Sequence, residues 1–294
     1  MNNIIITTDS GLDPMLTDTM IKGQIIKNNN ESFKDGDLSN KEILNQTRNG
    51  NTFKTASPIL NDYYDMFTKY LDEKLDIVHL SMSSGISEGS VNSALIAAND
   101  LNEEYENKVY VIDTLTGATG GTIISEYANK LVEKGYSINE VIDKLNDLKK
   151  RIKTSFYVPN PEGFIRSGRD KSSMCTKDKA LLIGAKISKM AGIKYRVDFN
   201  SEGNLYVKNI FRGKVYDSGI KMVKEIISSK TINDYEKCIA VIGSVHEDIL
   251  SMNEIKDYLL SFDYFDKVID KDINGVVACY GSSDLYGISL IKKL

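Results

Sequence analysis

The feature that most constrains the fold is a regular alternation of short apolar runs with amphipathic helical segments in the first half of the chain. The apolar runs are 3–9, 75–82 and 108–113, and the helical segments are 57–73, 89–105, 121–135 and 138–152. The last helix begins with a capping box, Ser137 followed by Glu140. Strands and helices alternating at this spacing predict a parallel sheet covered by helices.

The second half has a different pattern. A predicted strand at 154–158 is followed by two prolines, and 194–212 consists of two alternating runs joined by a turn through Asn200–Gly203, which is typical of a β-hairpin. Further predicted elements are a helix at 217–229, a strand at 237–243, a helix at 247–261, a strand near 267–269 and a final apolar run at 274–281. We predict two α/β domains, 1–155 and 156–294, the second containing the antiparallel hairpin.

Composition excludes several classes of function. The chain has 294 residues, with 37 Lys and Arg against 41 Asp and Glu, so its net charge of −4 offers no basic field for nucleic acid or an anionic membrane. Three widely separated cysteines and two histidines make a zinc site or a disulfide framework unfavourable. The shortage of histidine also disfavours many catalytic schemes. No signal peptide or membrane span is indicated, and free thiols fit a reducing cytoplasm.

Hydroxyl groups are concentrated where the predicted strands end. They occur in Thr8-Asp9-Ser10, in Thr55-Ala56-Ser57-Pro58, in 81–90 and in Asp113-Thr114. Ligands of open parallel sheets bind at the carboxyl ends of the strands. Hydroxyls together with amide groups at helix starts can hold an anion without a cation. The same residue types also serve as ordinary helix caps and turns, so both interpretations stay open.

One motif competes with this interpretation. Gly85-Ile86-Ser87-Glu88-Gly89 fits the GxSxG pattern between a strand and a helix, and Asp113 and His246 follow in the order of an α/β-hydrolase triad. An esterase using Ser87 is therefore an alternative. Against it, no HGG segment lies upstream, and too few strands precede the serine for a hydrolase sheet. The other histidine, His79, lies in an apolar strand and is expected to be buried.

The order of these motifs resembles that of the DegV family of bacterial lipid-binding proteins. The correspondences are a TDS turn at Thr8-Asp9-Ser10, a TSxPS motif at 55–58, an SSxLSGTYxSA segment at 83–94, a VIDS strand end at 111–114, a GGR motif at 167–169 and an RG pair at Arg212-Gly213. The similarity spans nearly the whole chain.

The resemblance implies a binding protein, not an enzyme, that encloses one long-chain fatty acid in a tunnel and uses no other cofactor and no metal. It implies that a partner, an ATP-dependent fatty acid kinase subunit, phosphorylates the presented carboxylate. The ligand-binding residues would be Thr55, Ser57, Ser84, Ser87, Gly89, Ser90 and Tyr280. Arg169 and Arg212 would form the docking surface for the kinase. Both belong to basic clusters, and the alternative interpretation of these clusters is an ordinary solvent-exposed surface. Lipid exchange would involve at most transient membrane contact.

Three positions depart from the family pattern. Glu88 is either a one-residue insertion or a replacement of the ligand serine, in which case it would repel a carboxylate. Ser167 replaces the first glycine of GGR, and Tyr280-Gly281-Ser282 stands where many members have His-Thr-Gly. A tyrosine hydroxyl can still form a hydrogen bond but lacks the proton chemistry of histidine. A carrier of another amphiphile or of a small anion is therefore a second alternative.

Overall fold

The computed structural model describes residues 3–160, 192–245, 249–280 and 285–294. Its strands are β1 (Ile4–Asp9), β2 (Met20–Ile21), β3 (Gln24–Lys27), β4 (Glu31–Lys34), β5 (Phe53–Ala56), β6 (Asp76–Ser81), β7 (Val109–Asp113), β8 (Ile152–Val158), β9 (Ile193–Phe199), β10 (Leu205–Arg212), β11 (Tyr235–Ser244), β12 (Val268–Asp272) and β13 (Tyr286–Lys292). Its α-helices are α1 (Asn40–Arg48), α2 (Leu60–Asp72), α3 (Ser84–Glu104), α4 (Thr119–Glu133), α5 (Ile138–Arg151), α6 (Val215–Ile226), α7 (Ile249–Leu260) and α8 (Gly275–Ala278).

The strands form three sheets. A parallel four-stranded sheet has the order β2-β1-β6-β7, and a six-stranded sheet has the order β10-β9-β8-β13-β11-β12, in which only β11 and β12 pair in parallel. A small antiparallel sheet has the order β4-β3-β5. The predicted α/β class with a parallel sheet and a second, antiparallel element is confirmed.

The predicted elements are recovered with shifted ends. The three predicted strands of the parallel sheet are present, and the predicted hairpin is closed by a bond from the Gly203 amide to the Asn200 carbonyl at 3.1 Å. The helix predicted at 89–105 begins earlier, at Ser84, and the apolar run at 274–281 contains α8. The small sheet and β13 were not predicted. The predicted domain boundary after residue 155 falls within β8, and the division stays a prediction.

Helix α4 joins the two large sheets. Its buried apolar residues share one core cluster with residues of the parallel sheet, of α5 and of the six-stranded sheet, among them Ile6, Leu80, Ile124, Leu145 and Val241. A buried chain of hydroxyls follows the same interface. Thr119 and Thr154 lie 2.7 and 2.8 Å from Ser289 (Oγ1 to Oγ), and Thr116 lies 3.0 Å from Thr154. The two large sheets therefore share one core cluster, which lies around α4.

The start of α4 is packed too closely for a side chain. A Cβ added at Gly121 would lie 2.3 Å from the carbonyl oxygen of Leu12 and 2.5 Å from its Cα, and one added at Gly120 would lie 2.2 Å from the hydroxyl of Thr116. Backbone atoms have little room to retreat in a close-packed interior. Glycine at position 121 is thus a steric requirement of the contact between α4 and the turn after β1.

We expect Gly121→Ala to lower the free energy of unfolding by at least about 3 kcal/mol, because the added methyl group overlaps backbone atoms of Leu12. Gly135→Ala is the matched control. Its Cβ would meet nothing, so only the positive φ of 81° costs energy, roughly 1–2 kcal/mol. Chemical denaturation of the three proteins measures both effects. Equal losses in the two variants would contradict the packing argument.

Candidate ligand-binding cavity

A cavity of about 420 Å³ lies where β1 and β6 end, between the parallel sheet and the hairpin of the six-stranded sheet. Its volume falls in the usual range for small-molecule sites, roughly 300–1,000 Å³. Both large sheets, the small sheet and helices α3 and α8 contribute to its lining. The position agrees with the expectation that ligands bind at the carboxyl ends of parallel strands.

Five hydroxyl groups from separate parts of the chain meet at the polar end of this cavity. Thr55 Oγ1 and the hydroxyl of Tyr280 are hydrogen-bonded to each other. Ser57 Oγ lies 3.0 Å from Ser87 Oγ, which lies 2.7 Å from Ser90 Oγ. All five residues line the cavity. The structure thus brings together five of the predicted ligand-binding side chains across more than 200 residues of sequence.

Helix α3 is kinked at Ser87, and the kink decides which side chain faces the cavity. Ser87 has φ −134° and ψ 68° between two helical segments. Its hydroxyl contacts Ser57 and Ser90, whereas Glu88 is exposed at the cavity rim and Ser90 is buried. A residue inserted into a helix is accommodated by such a local distortion. The geometry favours Ser87 over Glu88 as the head-group residue, with Gly89 beside it in the lining.

The remaining wall of the cavity is apolar and comes from distant segments. Its large side chains are Met82, Ile86, Phe156, Phe199, Leu205, Val276, Val277 and Leu285. The hairpin that carries Phe199 and Leu205 is held against α3, because Ser83 Oγ donates to the Gly203 carbonyl at 2.8 Å. A pocket with hydroxyls at one end and an apolar wall suits an amphiphile with a small polar head.

Behind the serines lies a buried polar network that the sequence reasoning did not assign to the site. The hydroxyl of Tyr63 donates to Asp9 Oδ1 at 2.9 Å, and Ser81 Oγ and the Met82 amide donate to Oδ2 at 2.6 and 3.0 Å. His79 Nε2 lies 3.4 Å from Oδ1, an ion-pair distance. Burial alone would raise the pKa of Asp9, but His79, Ser81 and the Met82 amide hold it below its ordinary value. Asp9 is therefore ionised although it is buried and lines the cavity.

One predicted ligand-binding side chain is not brought into the hydroxyl cluster. Ser84 Oγ instead donates to Asp113 Oδ2 at 2.6 Å, and Ser84 is absent from the cavity lining. Arg212 is exposed at the end of β10. Arg169 lies outside the described residues, as do Ser167 and the rest of the GGR-like motif.

The geometry of Ser87 also bears on the esterase alternative. Ser87 lies at a kink between two helical segments of α3, six residues after the end of β6, and Asp113 is engaged by Ser84. His79 is fully buried and bonded to Thr7 and Asp9, and His246 lies outside the described residues. In the part of the chain that the structure describes, Ser87 has no hydrogen bond to a general base.

Two buried carboxylates lie beside the segment that carries Tyr280. Asp13 Oδ1 accepts from the Asn274 amide at 2.8 Å, and Asp35 lies next to the start of α8, where a Cβ added at Gly275 would come within 2.9 Å of its Oδ1. Burial raises the pKa of Asp13 to about 7, despite the nearby Lys271 and the Asn274 amide, and burial likewise raises the pKa of Asp35. Among the described residues, no group of three or more His, Cys, Asp or Glu could hold a metal ion.

The raised pKa of Asp13 predicts a pH-dependent stability. A carboxyl that takes up its proton near pH 7 when folded, and near 3.8 when unfolded, favours the folded state at low pH. As pH rises from about 4 to about 7, this contribution is lost, by at most about 4 kcal/mol. We expect Asp13→Asn to flatten that part of the stability profile measured by urea unfolding. Asp18→Asn, which removes one exposed negative charge, is the control, and parallel profiles for all three proteins would contradict the assignment.

The fold and cavity define an α/β binding protein whose site combines hydroxyls with an apolar wall. Residues 3–293 match the sequence model of a family described as uncharacterised protein, DegV family COG1307, and the chain belongs to this family. It is 30% identical over 185 residues to the DegV domain-containing protein YteA of Lactococcus lactis, an alignment that spans 63% of this chain and 60% of that protein.

Solved structures share the whole fold. A fatty-acid-binding DegV family protein from Thermus thermophilus superposes with a TM-score of 0.83 at 19% identity, and the Fatty Acid Kinase (Fak) B3 protein of Streptococcus pneumoniae, loaded with linoleic acid, with a TM-score of 0.80 at 19% identity. Both comparisons cover 100% of each chain. The first neighbour is described as binding fatty acid and the second as loaded with linoleic acid, in agreement with the predicted class of binding protein. No helix among the described residues is long and apolar enough to cross a membrane.

Proposed function

We propose that this chain binds one long-chain fatty acid in the cavity, with its head group at Thr55, Ser57, Ser87, Ser90 and Tyr280. The observation that carries the proposal is that five hydroxyl groups and an apolar wall line the same cavity. Both solved neighbours are described with fatty acid as the ligand, which supports the same ligand class here.

The affinity of such a site would come mainly from the acyl chain. Burial of each CH₂ group contributes about 0.8 kcal/mol, so ten buried methylenes supply roughly 8 kcal/mol before the cost of immobilising the chain. Hydroxyl groups at the head then need only orient the ligand. This division explains how a site can hold an acid without a lysine or arginine among its described lining residues.

Thr55→Val tests the head-group assignment, because it removes one hydroxyl and nearly preserves the shape of the side chain. We expect the dissociation constant for palmitate to rise roughly five- to tenfold, the loss of about one hydrogen bond. Thr52→Val is the control, since Thr52 lies on the same segment but is exposed and outside the cavity lining. Isothermal titration calorimetry measures both, and equal affinity of Thr55→Val and the wild type would refute the role of Thr55.

Native mass spectrometry combined with organic extraction tests the ligand itself. A fatty acid that copurifies with the chain, or that is taken up from solution, supports the proposal. A chain that neither carries nor takes up fatty acid would overturn it. Hydrolysis of p-nitrophenyl esters that disappears in Ser87→Ala would favour the esterase instead.

We further propose that the bound acid is presented to an ATP-dependent fatty acid kinase subunit. A carboxylate oxygen of the ligand would attack the γ-phosphorus of ATP, which forms an acyl phosphate and releases ADP. The description of the Streptococcus pneumoniae neighbour as a fatty acid kinase protein supports this partner. We place the docking surface at Arg212, an exposed cation at the end of β10, and at Arg169, which lies outside the described residues.

Arg212→Ala separates docking from ligand binding. We expect the palmitate-loaded variant to support acyl phosphate formation several-fold more slowly at limiting kinase concentration, while its affinity for palmitate stays unchanged. Lys208→Ala removes another exposed cation from the same strand and serves as the control. ADP release, followed with a fatty acid kinase subunit and ATP, measures the rate. An equal effect of both variants would contradict a specific role of Arg212.

A further inference from the structure

The two ends of the cavity differ in their exposure to solvent. Glu88 and Gly89 line the cavity next to Ser87 and are exposed, so the hydroxyl end opens to solvent. Gly117 and Ala118 also line the cavity, but both are buried. They therefore mark its inner end. An acyl chain whose head group is held at Ser87 would extend toward them.

The side chain of Met82 fills a recess at this inner end, and the recess exists because two neighbouring residues are glycines. A Cβ added at Gly11 would lie 2.5 Å from Met82 Sδ, and one added at Gly117 would lie 3.0 Å from Met82 Cε. Both glycines and Met82 line the cavity. The methionine thus lies over two backbone segments without side chains and occupies space that is continuous with the cavity.

The surroundings of this recess suit the apolar end of a ligand. The Gly11 carbonyl accepts from the Ala118 amide at 2.7 Å, and the Met82 amide donates to Asp9 Oδ2 at 3.0 Å, so these backbone groups are already paired. Ala118 also shares a core cluster with Phe156, which lines the same cavity. A polar head group would lose its hydration here without gaining these partners, whereas a hydrocarbon chain loses nothing.

We propose that Met82 determines which acyl-chain lengths the cavity accepts, because its side chain closes the inner end. Removal of its Cγ, Sδ and Cε atoms would make room for roughly three methylene groups. A methionine side chain is unbranched and adaptable, so a group that presses on it from the glycine side displaces it into the cavity. The inference rests on the proposed fatty acid binding and adds the chain-length class of the ligand.

Met82→Ala tests the inference with myristate, palmitate, stearate and arachidate, whose affinities are measured by displacement of a fluorescent fatty acid. Each additional buried methylene group strengthens binding about fourfold. We therefore expect the ratio of stearate affinity to palmitate affinity to rise roughly five- to fifteenfold over that of the wild type. Met66→Ala is the matched control. Met66 is partly buried and outside the cavity lining, so this variant should keep the wild-type ratio.

Gly11→Ala tests the same contact in the opposite direction. The three atoms nearest to the added Cβ all belong to Met82, at 2.5, 3.5 and 3.6 Å, and Gly11 has no positive φ, so alanine fits its backbone. We expect the displaced methionine to shorten the cavity and to lower the ratio of palmitate affinity to myristate affinity at least about fourfold, the contribution of one methylene group. This variant keeps the inference testable if Met82→Ala fails to fold.

The double variant Gly11→Ala/Met82→Ala shows whether the glycine acts through the methionine. Its affinity ratios should equal those of Met82→Ala, because the added methyl group then has no methionine to displace. A weakened fold lowers the affinity for all four acids alike and leaves the ratios unchanged. Unchanged ratios in Met82→Ala and Gly11→Ala, or an equal shift in Met66→Ala, would overturn this inference and leave fatty acid binding intact. A wild type that binds none of the acids would overturn the proposed function itself.

Discussion

The close contact between the start of α4 and the turn after β1 is the constraint on which the rest of the structure depends. Gly121 admits the backbone of Leu12 to a distance that no side chain would allow. Just before α4, Gly117 and Ala118 line the cavity, and the Ala118 amide donates to the Gly11 carbonyl at 2.7 Å. The packing that unites the two large sheets therefore also places part of the cavity wall.

The polar groups of the cavity come from separate elements that meet where the three sheets approach one another. The small sheet supplies Thr55, the helix after β6 supplies Ser87 and Ser90, and the segment before β13 supplies Tyr280. No single element carries enough polar groups to bind a charged head, and each hydroxyl is already paired with another protein hydroxyl. A ligand must exchange or extend these bonds, which makes the direction of each hydrogen part of the specificity of the site.

The parallel sheet could be predicted because β1, β6 and β7 are apolar runs separated by strongly amphipathic helices, a local signal. The small sheet could not, since β3, β4 and β5 are four residues each and only Ile25 and Phe53 are fully buried apolar positions. For the site, the family resemblance identified the hydroxyls of Thr55 and Ser87. The link from Asp9 to Tyr63, 54 residues apart, depends on tertiary packing and has no local signature.

The residues around Ser87 decide what its GxSxG motif can do chemically. A nucleophilic serine needs a base that takes its hydrogen, whereas the described hydrogen-bond partners of Ser87 are the hydroxyls of Ser57 and Ser90, at 3.0 and 2.7 Å. The buried Asp9 accepts from Tyr63, Ser81 and the Met82 amide, and Ser87 is not among its described hydrogen-bond partners. The same GxSxG letters that suggest catalysis thus place Ser87 in a cluster of hydroxyls where no general base among the described residues bonds to it, and such a cluster suits recognition of a head group.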